Sequence, residues 1–453
     1  MRSTMLSRRS FLALGAFVPF APSRFAPKAF EHHFRYDHVI GTSLDLSIHA
    51  RDEDAARLAE RAVLNEVDRL TAILNTRNPD SEICKCEKSG SRAQSHVLED
   101  VLNLYEYWER ATGGSLSIRP GGIGSSRNVD ALGKAYIIEQ VLRVAREASP
   151  KIESAMVNIG GDIAVWGKDF EIGVADPSAP YDNATPLTRV LLHDAAIATS
   201  GSYARGTHIL DPRTGRPVSA AAGATVIARD AVTANALSTV ICVAGADDGL
   251  RLVESTPGAE ALVIGPDGRE RRSTGFPRFE MRRVAQNTPA SQWPAGFQIT
   301  LSLVLTNGKA DDRGGRRRIH RPYVGVWAET PSSKLVRIMA LWANEPRYYG
   351  ELSILFNRAG RDPRALMPIA RATRPAGTYG LVWDGLDEQR MPVAMDSYKI
   401  VVEASQEGGS YTKQSGVIVC GESPAELKLS GTVNFDPVTI QYGPKTAQAR
   451  LDV

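Results

Sequence analysis

This chain of 453 residues has few cysteines, a small net charge and few long apolar runs. Its four cysteines are too few to indicate a disulfide framework, and the single residue between Cys84 and Cys86 fits neither a zinc knuckle nor a redox C-x-x-C motif. Cys242 lies in an apolar run, which indicates a buried thiol. The formal net charge of +3 is too small to indicate nucleic-acid binding. Beyond residue 30 no stretch is apolar enough to predict a membrane span.

The composition that remains is that of a globular protein with more than one domain. Hydrophobic residues make up 43% of the chain and charged residues 23%, which is enough apolar surface for real cores. The length favours about two or three domains. Residues 281–294 are mostly polar and contain proline, so they predict a linker between a first domain over 31–280 and a second over 295–423.

Residues 1–30 have the pattern of an export signal. Arg8 and Arg9 precede a Ser-Phe-Leu run and a short apolar stretch from Leu12 to Phe20. A basic segment before a short apolar core is typical of a secretory signal, and the paired arginines resemble a twin-arginine signal. We therefore predict a periplasmic protein; the alternatives are an uncleaved signal that tethers it to the membrane, or an ordinary flexible terminus.

Apolar periodicity predicts helices and strands in the first domain and mainly strands in the second. Helices are predicted over 52–74, 97–112, 136–147 and 248–255, and strands over 38–50, 156–163, 170–177, 191–199 and 261–267. In the second domain, strands are predicted over 297–306, 323–329, 336–341, 379–383 and 398–404. Such a run of strands predicts an all-β sandwich, with Trp327, Trp342 and Trp383 in its core. Residues 424–453 are interpreted as one further hairpin or a loose tail.

The stretch from Thr199 to Gly245 contains the densest group of candidate functional residues. Asn235, Ser238 and Thr239 are oxygen donors at a spacing of three and four, which puts them on one face of a helix. Hard cations such as Mg²⁺ take oxygen ligands together with substrate phosphates, so this face could hold a metal that carries a phosphate ester. The alternative is that these side chains cap the helix or face solvent.

The same stretch resembles the signature of the ApbE-type flavin transferases (FAD:protein FMN transferases). That family has a T-S-G-x-Y run, a histidine before I-D-P-x-T-G-x-P, and an A-D-A-x-x-T ending. This chain has T-S-G-S-Y, then H-I-L-D-P-R-T-G-R-P, then T-A-N-A-L-S-T, in the same order and at similar intervals. The family's first metal-binding carboxylate, an aspartate, is replaced here by Asn235.

Earlier segments extend the resemblance and add departures. Residues 158–163 read N-I-G-G-D-I as in the family, residues 40–42 match its M-G-T strand, and residues 128–136 match its D-L-G-A-I-A-K-G-Y segment. Asn128 replaces the first aspartate of that last segment, and an insertion that usually precedes it is largely absent. Asn75-Thr76-Arg77 replaces an S-x-Y run, whose aromatic residue the family uses near the flavin.

The resemblance implies an α+β flavin-transferase domain, followed here by an all-β sandwich-like domain. It implies Mg²⁺-dependent transfer of FMN from FAD to a threonine hydroxyl of a target protein, with release of AMP. The target would be an exported redox protein. The implied metal ligands are the Ala131 carbonyl, Asn235, Ser238 and Thr239. The implied FAD contacts are Gly41, Asn128, Lys134, Gly160, Gly161 and Leu210, and His208 is the candidate that accepts or orients the proton.

Two other functions remain open at this stage. Asn128 and Asn235 lack the negative charge that favours a divalent ion, so the chain could be a flavin-binding or assembly factor with little or no activity. The same site could also hydrolyse FAD to FMN and AMP, with water as the acceptor. The second domain resembles a periplasmic family of unassigned function that often follows ApbE-type domains, through R-P-Y-V-G-V-W-A-E-T, A-T-R-P-A-G-T-Y-G-L-V-W-D-G-L-D and S-Y-K-I-V-V-E-A-S-Q-E.

Overall fold

The computed structural model describes residues 29–122, 124–179, 181–201, 209–218, 220–281, 292–306, 321–343, 345–367, 369–406 and 409–445. The predicted export signal up to residue 28, most of the predicted linker and His208 lie outside the described residues.

The first domain is built on a large antiparallel sheet. Its strands are β1 (Phe30–Val39), β2 (Thr42–Ala50), β3 (Ile152–Ile159), β4 (Asp162–Trp166), β5 (Phe170–Val174), β6 (Thr188–Leu192), β7 (Ala195–Gly201), β8 (Leu210–Asp211), β9 (Arg216–Pro217), β10 (Gly223–Ala228), β11 (Glu260–Ile264) and β12 (Glu270–Arg272). Within the described ranges, eight of these strands pair in the order β1-β2-β3-β4-β7-β10-β11-β12. The remaining strands form two separate hairpins, β5-β6 and β8-β9.

Helices pack on one face of this sheet. They are α1 (Glu53–Leu74), α2 (Glu82–Ser89), α3 (His96–Ala111), α4 (Asp130–Glu147), α5 (Ala231–Ala244) and α6 (Ala246–Ser255). Alternate residues of the strands, such as Leu44, Leu46 and Ile48 of β2, are buried with the apolar faces of the helices in one core. None of the helices in the described parts of the chain is long and apolar enough to cross a membrane.

Sequence periodicity located most of these elements, and two of the differences concern a turn and the start of a helix. The strand predicted over 38–50 is interrupted, because Ile40 and Gly41 take φ values of 44° and 82° and form the turn between β1 and β2. Helix α4 begins at Asp130, six residues before its predicted start at Tyr136. Cys242 is buried as predicted, and burial raises the pKa of its thiol to about 12, so it stays protonated at neutral pH.

The second domain is a sandwich of two antiparallel sheets, as predicted. Its strands are β13 (Phe297–Leu305), β14 (Tyr323–Glu329), β15 (Leu335–Trp342), β16 (Gly377–Trp383), β17 (Asp396–Ser405), β18 (Tyr411–Cys420), β19 (Ala425–Leu429) and β20 (Val438–Pro444), with two short helices, α7 (Ser353–Arg358) and α8 (Pro363–Leu366). One sheet has the order β16-β13-β20-β19 and the other β15-β14-β17-β18. Strand β20 is therefore an inner strand of the first sheet, paired with both β13 and β19.

Of the three tryptophans predicted for the sandwich core, two lie between the sheets. Trp342 and Trp383 are almost completely buried in the core between the two sheets. Trp327 is also fully buried, but it lies on the outer side of its sheet, in a second cluster under the short helices. Large aromatic side chains thus occupy both faces of one sheet, which explains why tryptophan recurs in this region.

Polar side chains join the two domains. The Asp182 amide donates to the Gly380 carbonyl at 2.8 Å, and the Asn183 side chain donates to the Val382 carbonyl at 2.8 Å and accepts from its amide at 2.9 Å. Arg374 Nη2 also lies 2.6 Å from Asp182 Oδ1. We call this boundary the domain seam; its charged residues are Arg35, Asp37, Asp45 and Asp182 of the first domain and Arg321, Arg371 and Arg374 of the second.

Candidate functional site

A buried carboxylate joins the three segments that carry the sequence motifs. Asp162 opens β4 directly after the Gly160-Gly161 turn, and its side chain is only 4% exposed. Its Oδ2 lies 2.7 Å from Lys134 Nζ on α4 and accepts a hydrogen bond of 2.8 Å from Asn235 Nδ2 on α5. Lys134 and Asn235, which are roughly a hundred positions apart in the chain, therefore both contact Asp162 Oδ2.

The start of α4 fixes the position of Lys134. Asn128 Oδ1 accepts a 2.7 Å hydrogen bond from the Asp130 amide, which satisfies a backbone donor at the start of the helix. Ala131 precedes Lys134 by three residues and so lies on the same face of α4. An aspartate at position 128 could make the same contact, so the replacement by asparagine preserves this local structure. Whether Asn128 and the Ala131 carbonyl contact a ligand stays a prediction.

The predicted face of α5 exists, and it packs against the end of β7. Ser238 Oγ donates to the Asn235 carbonyl at 3.0 Å and lies 2.9 Å from Ser200 Oγ. Thr239 Oγ1 lies 3.4 Å from the same Ser200 hydroxyl. Asn235 is 5% exposed, and its Oδ1 has no hydrogen-bond partner among the described residues. An unpaired buried carbonyl oxygen costs free energy, so this atom is available to a ligand.

The Gly160-Gly161 turn needs glycine for reasons of backbone geometry. The two residues have φ values of 58° and 94°, a region that other residues rarely adopt. A Cβ on Gly160 would also lie 2.7 Å from Thr42 Oγ1. Both turn amides are already used, because that of Gly160 donates to the Ser43 carbonyl at 3.1 Å and that of Gly161 to Asn158 Oδ1 at 3.0 Å. The turn can therefore let a ligand approach closely without donating these amide hydrogens to it.

The structure gives less information about the remaining predicted site residues. Gly41, with a φ of 82°, lies in the β1-β2 turn beside Thr42, and a Cβ there would be 3.4 Å from Arg77 Nη1. Leu210 begins the β8-β9 hairpin and is half-buried. His208 lies outside the described residues, so its role as proton acceptor stays a prediction.

The oxygen donors suit a hard cation, but they carry little charge. No three His, Cys, Asp or Glu side chains are arranged as a metal site in the part of the chain that the structure describes. Lys134 balances the charge of Asp162, and the α5 donors are an amide and two hydroxyls. Mg²⁺ accepts such neutral oxygens when phosphates supply negative charge. The unpaired Asn235 Oδ1 fits this requirement, so the residues can hold Mg²⁺ together with a phosphate ligand.

Comparison with known families confirms the resemblance that the motifs predicted. Residues 124–263 match the ApbE family, and residues 312–436 match a family described as a predicted periplasmic protein (DUF2271). The first domain is therefore of the ApbE type, and a DUF2271 domain follows it.

The relatives share part of their length with this chain. A FAD:protein FMN transferase of Treponema pallidum (strain Nichols) is 27% identical over 175 residues, which are 34% of this chain and 47% of that protein. One from Vibrio cholerae (serotype O1, strain ATCC 39541) is 31% identical over 147 residues, 29% of this chain and 43% of that protein. The chain thus spans less than half the length of these relatives.

Two solved structures are similar to part of this chain. The flavin transferase ApbE from Vibrio cholerae has 20% identity and a TM-score of 0.47, and the alignment covers 55% of this chain and 99% of that one. The ApbE protein from Thermotoga maritima has 22% identity and a TM-score of 0.48, and covers 56% and 100%.

Sequence reasoning missed three residues of the site. The N-I-G-G-D-I motif indicated its glycines but no role for Asp162, although this carboxylate holds both Lys134 and Asn235. Asn158 of the same motif holds the turn, and Ser200 of T-S-G contacts α5. Each lies within a quoted motif. The signal was a polar residue next to a glycine or one residue removed from it, since residues at turns and loops often carry function.

Proposed function

We propose that this chain transfers the FMN group of FAD to a threonine hydroxyl of a target protein and releases AMP. The observation that carries the proposal is the contact of Asp162 Oδ2 with both Lys134 and Asn235, which assembles the motif segments around one buried point. The names of the relatives, FAD:protein FMN transferase, support the same reaction.

In the proposed reaction the threonine oxygen attacks the phosphorus on the FMN side of the diphosphate. A new bond forms between that oxygen and phosphorus, and the bond from the same phosphorus to the bridging oxygen breaks. The electron pair leaves with AMP, and the hydroxyl proton passes to a base, for which His208 is our candidate. Catalysis then depends mainly on position and on stabilising the charge that develops on the leaving phosphate.

The α5 donors and the Ala131 carbonyl would hold Mg²⁺, which when bound stabilises negative charge on the phosphate oxygens. Asn235 offers its unpaired Oδ1, and Thr239 offers a hydroxyl that is only 3.4 Å from Ser200 Oγ. Ser238 is fully buried and already donates to the Asn235 carbonyl, so its contribution is to fix the orientation of that residue.

Lys134 supplies a fixed positive charge beside the turn. Asp162 holds the ammonium group at 2.7 Å, so little conformational entropy is lost when a phosphate arrives. Burial of Asp162 lowers the local dielectric constant around its carboxylate, which strengthens the field of nearby charges. Gly41, Asn128, Gly160, Gly161 and Leu210 are our candidates for the walls of the flavin-nucleotide site.

The proposed partner is an exported redox protein that carries a modifiable threonine. The arginine pair at residues 8 and 9 supports export by a twin-arginine route, and the DUF2271 match supports a periplasmic location. We keep the limits of the first domain, 31–280, as part of this proposal. To the second domain, predicted over 295–423, we add the hairpin β19-β20, because both strands belong to its sheet.

The test uses the full chain, FAD and a set of threonine-containing peptides, with Mg²⁺ or with EDTA. AMP is measured by chromatography, and the mass of each peptide reports the addition of FMN. The proposal expects AMP and modified peptide in equal amounts, both abolished by EDTA. AMP without modified peptide would indicate hydrolysis of FAD, and neither product would contradict the proposal.

A second candidate is a flavin-binding or assembly factor without turnover. The observation that favours it is the neutral set of α5 donors, since Asp162 already has a partner in Lys134 and Asn235 carries no charge. This candidate expects bound FAD, measured by quenching of flavin fluorescence, with no AMP after prolonged incubation.

A further inference from the structure

The segments around Lys134 and Asp162 form a closed series of contacts. The β1-β2 turn touches the Gly160-Gly161 turn, since a Cβ on Gly160 would lie 2.7 Å from Thr42 Oγ1. Asp162 directly follows that second turn and contacts Lys134 at 2.7 Å. Lys134 lies four residues after Asp130, which is about one turn of α4. The start of α4 and the β1-β2 turn are therefore the two ends that remain to be joined.

Arg77 joins these two ends. It lies in the loop between α1 and α2, and its Nη2 is 3.3 Å from Asp130 Oδ2. Its Nη1 lies 3.4 Å from the position that a Cβ on Gly41 would occupy, and Gly41 directly precedes Thr42. Thr76 Oγ1 donates to the other oxygen of Asp130 at 3.0 Å. The guanidinium of Arg77 thus spans from the β1-β2 turn to the start of α4.

The two cations of this series differ in their access to a ligand. The Lys134 side chain is 20% exposed and is held by the buried Asp162, whereas the Arg77 side chain is 78% exposed. The Asp130 carboxylate that pairs with Arg77 is itself 46% exposed. An exposed ion pair contributes little to stability, so an incoming anion can take the place of Asp130 without disturbing the fold.

A nucleotide needs donors that the Gly160-Gly161 turn does not supply. The amides of both glycines donate within the protein. A guanidinium has five N–H donors, and the one hydrogen bond that the Arg77 guanidinium makes within the described residues is with Asp130. Arginine binds phosphate through short, charge-assisted hydrogen bonds, often two in parallel. Arg77 therefore has the chemistry and the free donors that a phosphate requires.

The pair of Arg77 with Asp130 also distinguishes this chain from the family motifs. Arg77 stands where the S-x-Y run has its tyrosine, and Asp130 stands where the D-L-G-A-I-A-K-G-Y segment has its glycine. Both positions are charged here, with opposite signs. A guanidinium at the edge of a ligand site selects by charge, which neither a tyrosine nor a glycine does.

We propose that Arg77 is a specificity-determining residue of the ligand site, whose guanidinium leaves Asp130 and binds a phosphate of the nucleotide. Asp130 holds the guanidinium beside the site before the ligand arrives, and it competes with the ligand for the same donors. That the ligand is a flavin dinucleotide rests on the proposed function, whereas the position of the cation rests on its contacts with Gly41 and Asp130.

The test compares Arg77→Gln with Arg251→Gln. Arg251 is a matched control, because its side chain is 79% exposed and pairs with Asp248, and because α6 packs on β11, three strands away from β4. Dissociation constants for FAD and for riboflavin, which has the same ring system but no phosphate, are measured by fluorescence quenching on the full chain with Mg²⁺. FAD binding should weaken by about tenfold in Arg77→Gln, because a charge-assisted hydrogen bond is lost. Riboflavin binding should not change, and neither ligand should respond to Arg251→Gln.

Two further variants separate recognition of a phosphate from a structural role. Asp130→Asn removes the competing charge and keeps an oxygen that can accept from Thr76, so FAD should bind about threefold more tightly while riboflavin does not change. Arg77→Lys keeps the charge but loses the planar fork, so its affinity for FAD should lie between those of Arg77→Gln and the unaltered chain. Thermal unfolding of each variant should stay close to that of the unaltered chain.

Several outcomes would overturn the proposal. Unchanged FAD affinity in Arg77→Gln would do so, as would weaker FAD binding in Asp130→Asn. Equal weakening of FAD and riboflavin in Arg77→Gln would place the guanidinium against the ring system instead. Absence of FAD binding by the unaltered chain would overturn this inference together with the proposed function.

Otherwise the two fail separately. FAD that binds through Arg77 without release of AMP would retain this inference and contradict the transferase. AMP release and peptide modification by the unaltered chain, with unchanged FAD affinity in Arg77→Gln, would retain the transferase and overturn the role of Arg77.

Discussion

Asp162 in the first domain and Glu329 in the second are both buried carboxylates held by a lysine, yet their surroundings differ. The Glu329 side chain is 1% exposed and is contacted by Lys399 Nζ at 2.6 Å, by Arg358 Nε at 2.9 Å and by the indole of Trp327 at 3.1 Å. Among the residues that the structure describes, Asp162 has one cation, and its other partner is the amide of Asn235, whose own oxygen has no partner there.

The difference separates a structural ion pair from a site that can act on a ligand. Glu329 has two cations and three donors, so nothing around it calls for a further group. The Asp162 cluster leaves a buried oxygen open, directly beside a glycine turn. A buried charge is thus weak evidence of function by itself, and the unpaired partner next to it is the more informative feature.

The largest expected effect is that of Lys134→Met. It removes the cation beside the buried Asp162, so we expect the free energy of unfolding to fall by about 3 kcal/mol. Transfer of FMN should fall by at least about a hundredfold, because a fixed positive charge at the phosphate is lost. Urea unfolding and AMP release measure the two effects.

Lys399→Met is the matched control for Lys134→Met. It also removes a lysine from a buried carboxylate, but Arg358 still pairs with Glu329. Stability should fall by a smaller amount, and AMP release per folded molecule should not change. Equal losses of activity in the two variants would remove the distinction between the two clusters.

The next effect concerns the response of Glu329 to acid. Burial alone would raise the pKa of Glu329, but Lys399, Arg358 and Trp327 lower it to about 2 from an ordinary 4.5. A lowered pKa gives stability that is present above pH 4.5 and is lost as the pH falls towards 2. We expect Glu329→Gln to cost about 2 to 3 kcal/mol at neutral pH. The difference from the unaltered chain should shrink between pH 4.5 and 3.

Urea unfolding at a series of pH values measures this dependence. Glu422→Gln, at an exposed position in the same domain, should follow the unaltered chain throughout. If the difference in unfolding free energy between Glu329→Gln and the unaltered chain stays constant down to pH 3, the ion pairs of Glu329 make no pH-dependent contribution to stability.

The smallest effect is the response of Asn235→Asp to magnesium. The new carboxylate would face Asp162 Oδ2, only 2.8 Å from the present amide nitrogen, so without metal we expect the melting temperature to fall by a few degrees. A charged oxygen binds Mg²⁺ more strongly than a neutral one, so the Mg²⁺ concentration that restores stability should be about tenfold lower than for the unaltered chain.

Thermal unfolding in EDTA and in a Mg²⁺ series measures both parts. Asn434→Asp is the control, because Asn434 is also buried. Its side-chain amide donates a hydrogen bond of 3.1 Å to the Thr412 hydroxyl, which the substitution would remove. It should lower the melting temperature without any response to Mg²⁺. A magnesium response of the same size in both variants would argue against a metal at α5.

Local patterns in the sequence account for the elements that were predicted well. Helix α1 has a buried stripe at helical spacing and an N-terminal cap, where Asp52 accepts from the Ala55 amide at 2.9 Å, and its predicted bounds agree with the structure to within one residue. The β1-β2 turn was missed because Ile40, a β-branched residue, gives no sign of a positive φ.

Long-range pairing accounts for what the sequence did not reveal. Nothing in residues 438–444 indicates that β20 lies between β13 and β19, because strand order depends on partners far away in the chain. In the same way, α4, β4 and α5 each carry a recognisable motif, but the meeting of Lys134, Asp162 and Asn235 depends on how these elements pack.

The contact of Asn183 with Val382 also bears on how the second domain could behave alone. Strand β16 is an outer strand of its sheet, and the amide and carbonyl of Val382 bond to the Asn183 side chain instead of to another strand. Separating the domains would uncover this edge and leave a ready template for pairing between molecules. By covering the edge of β16, the first domain thus opposes self-association of the second domain.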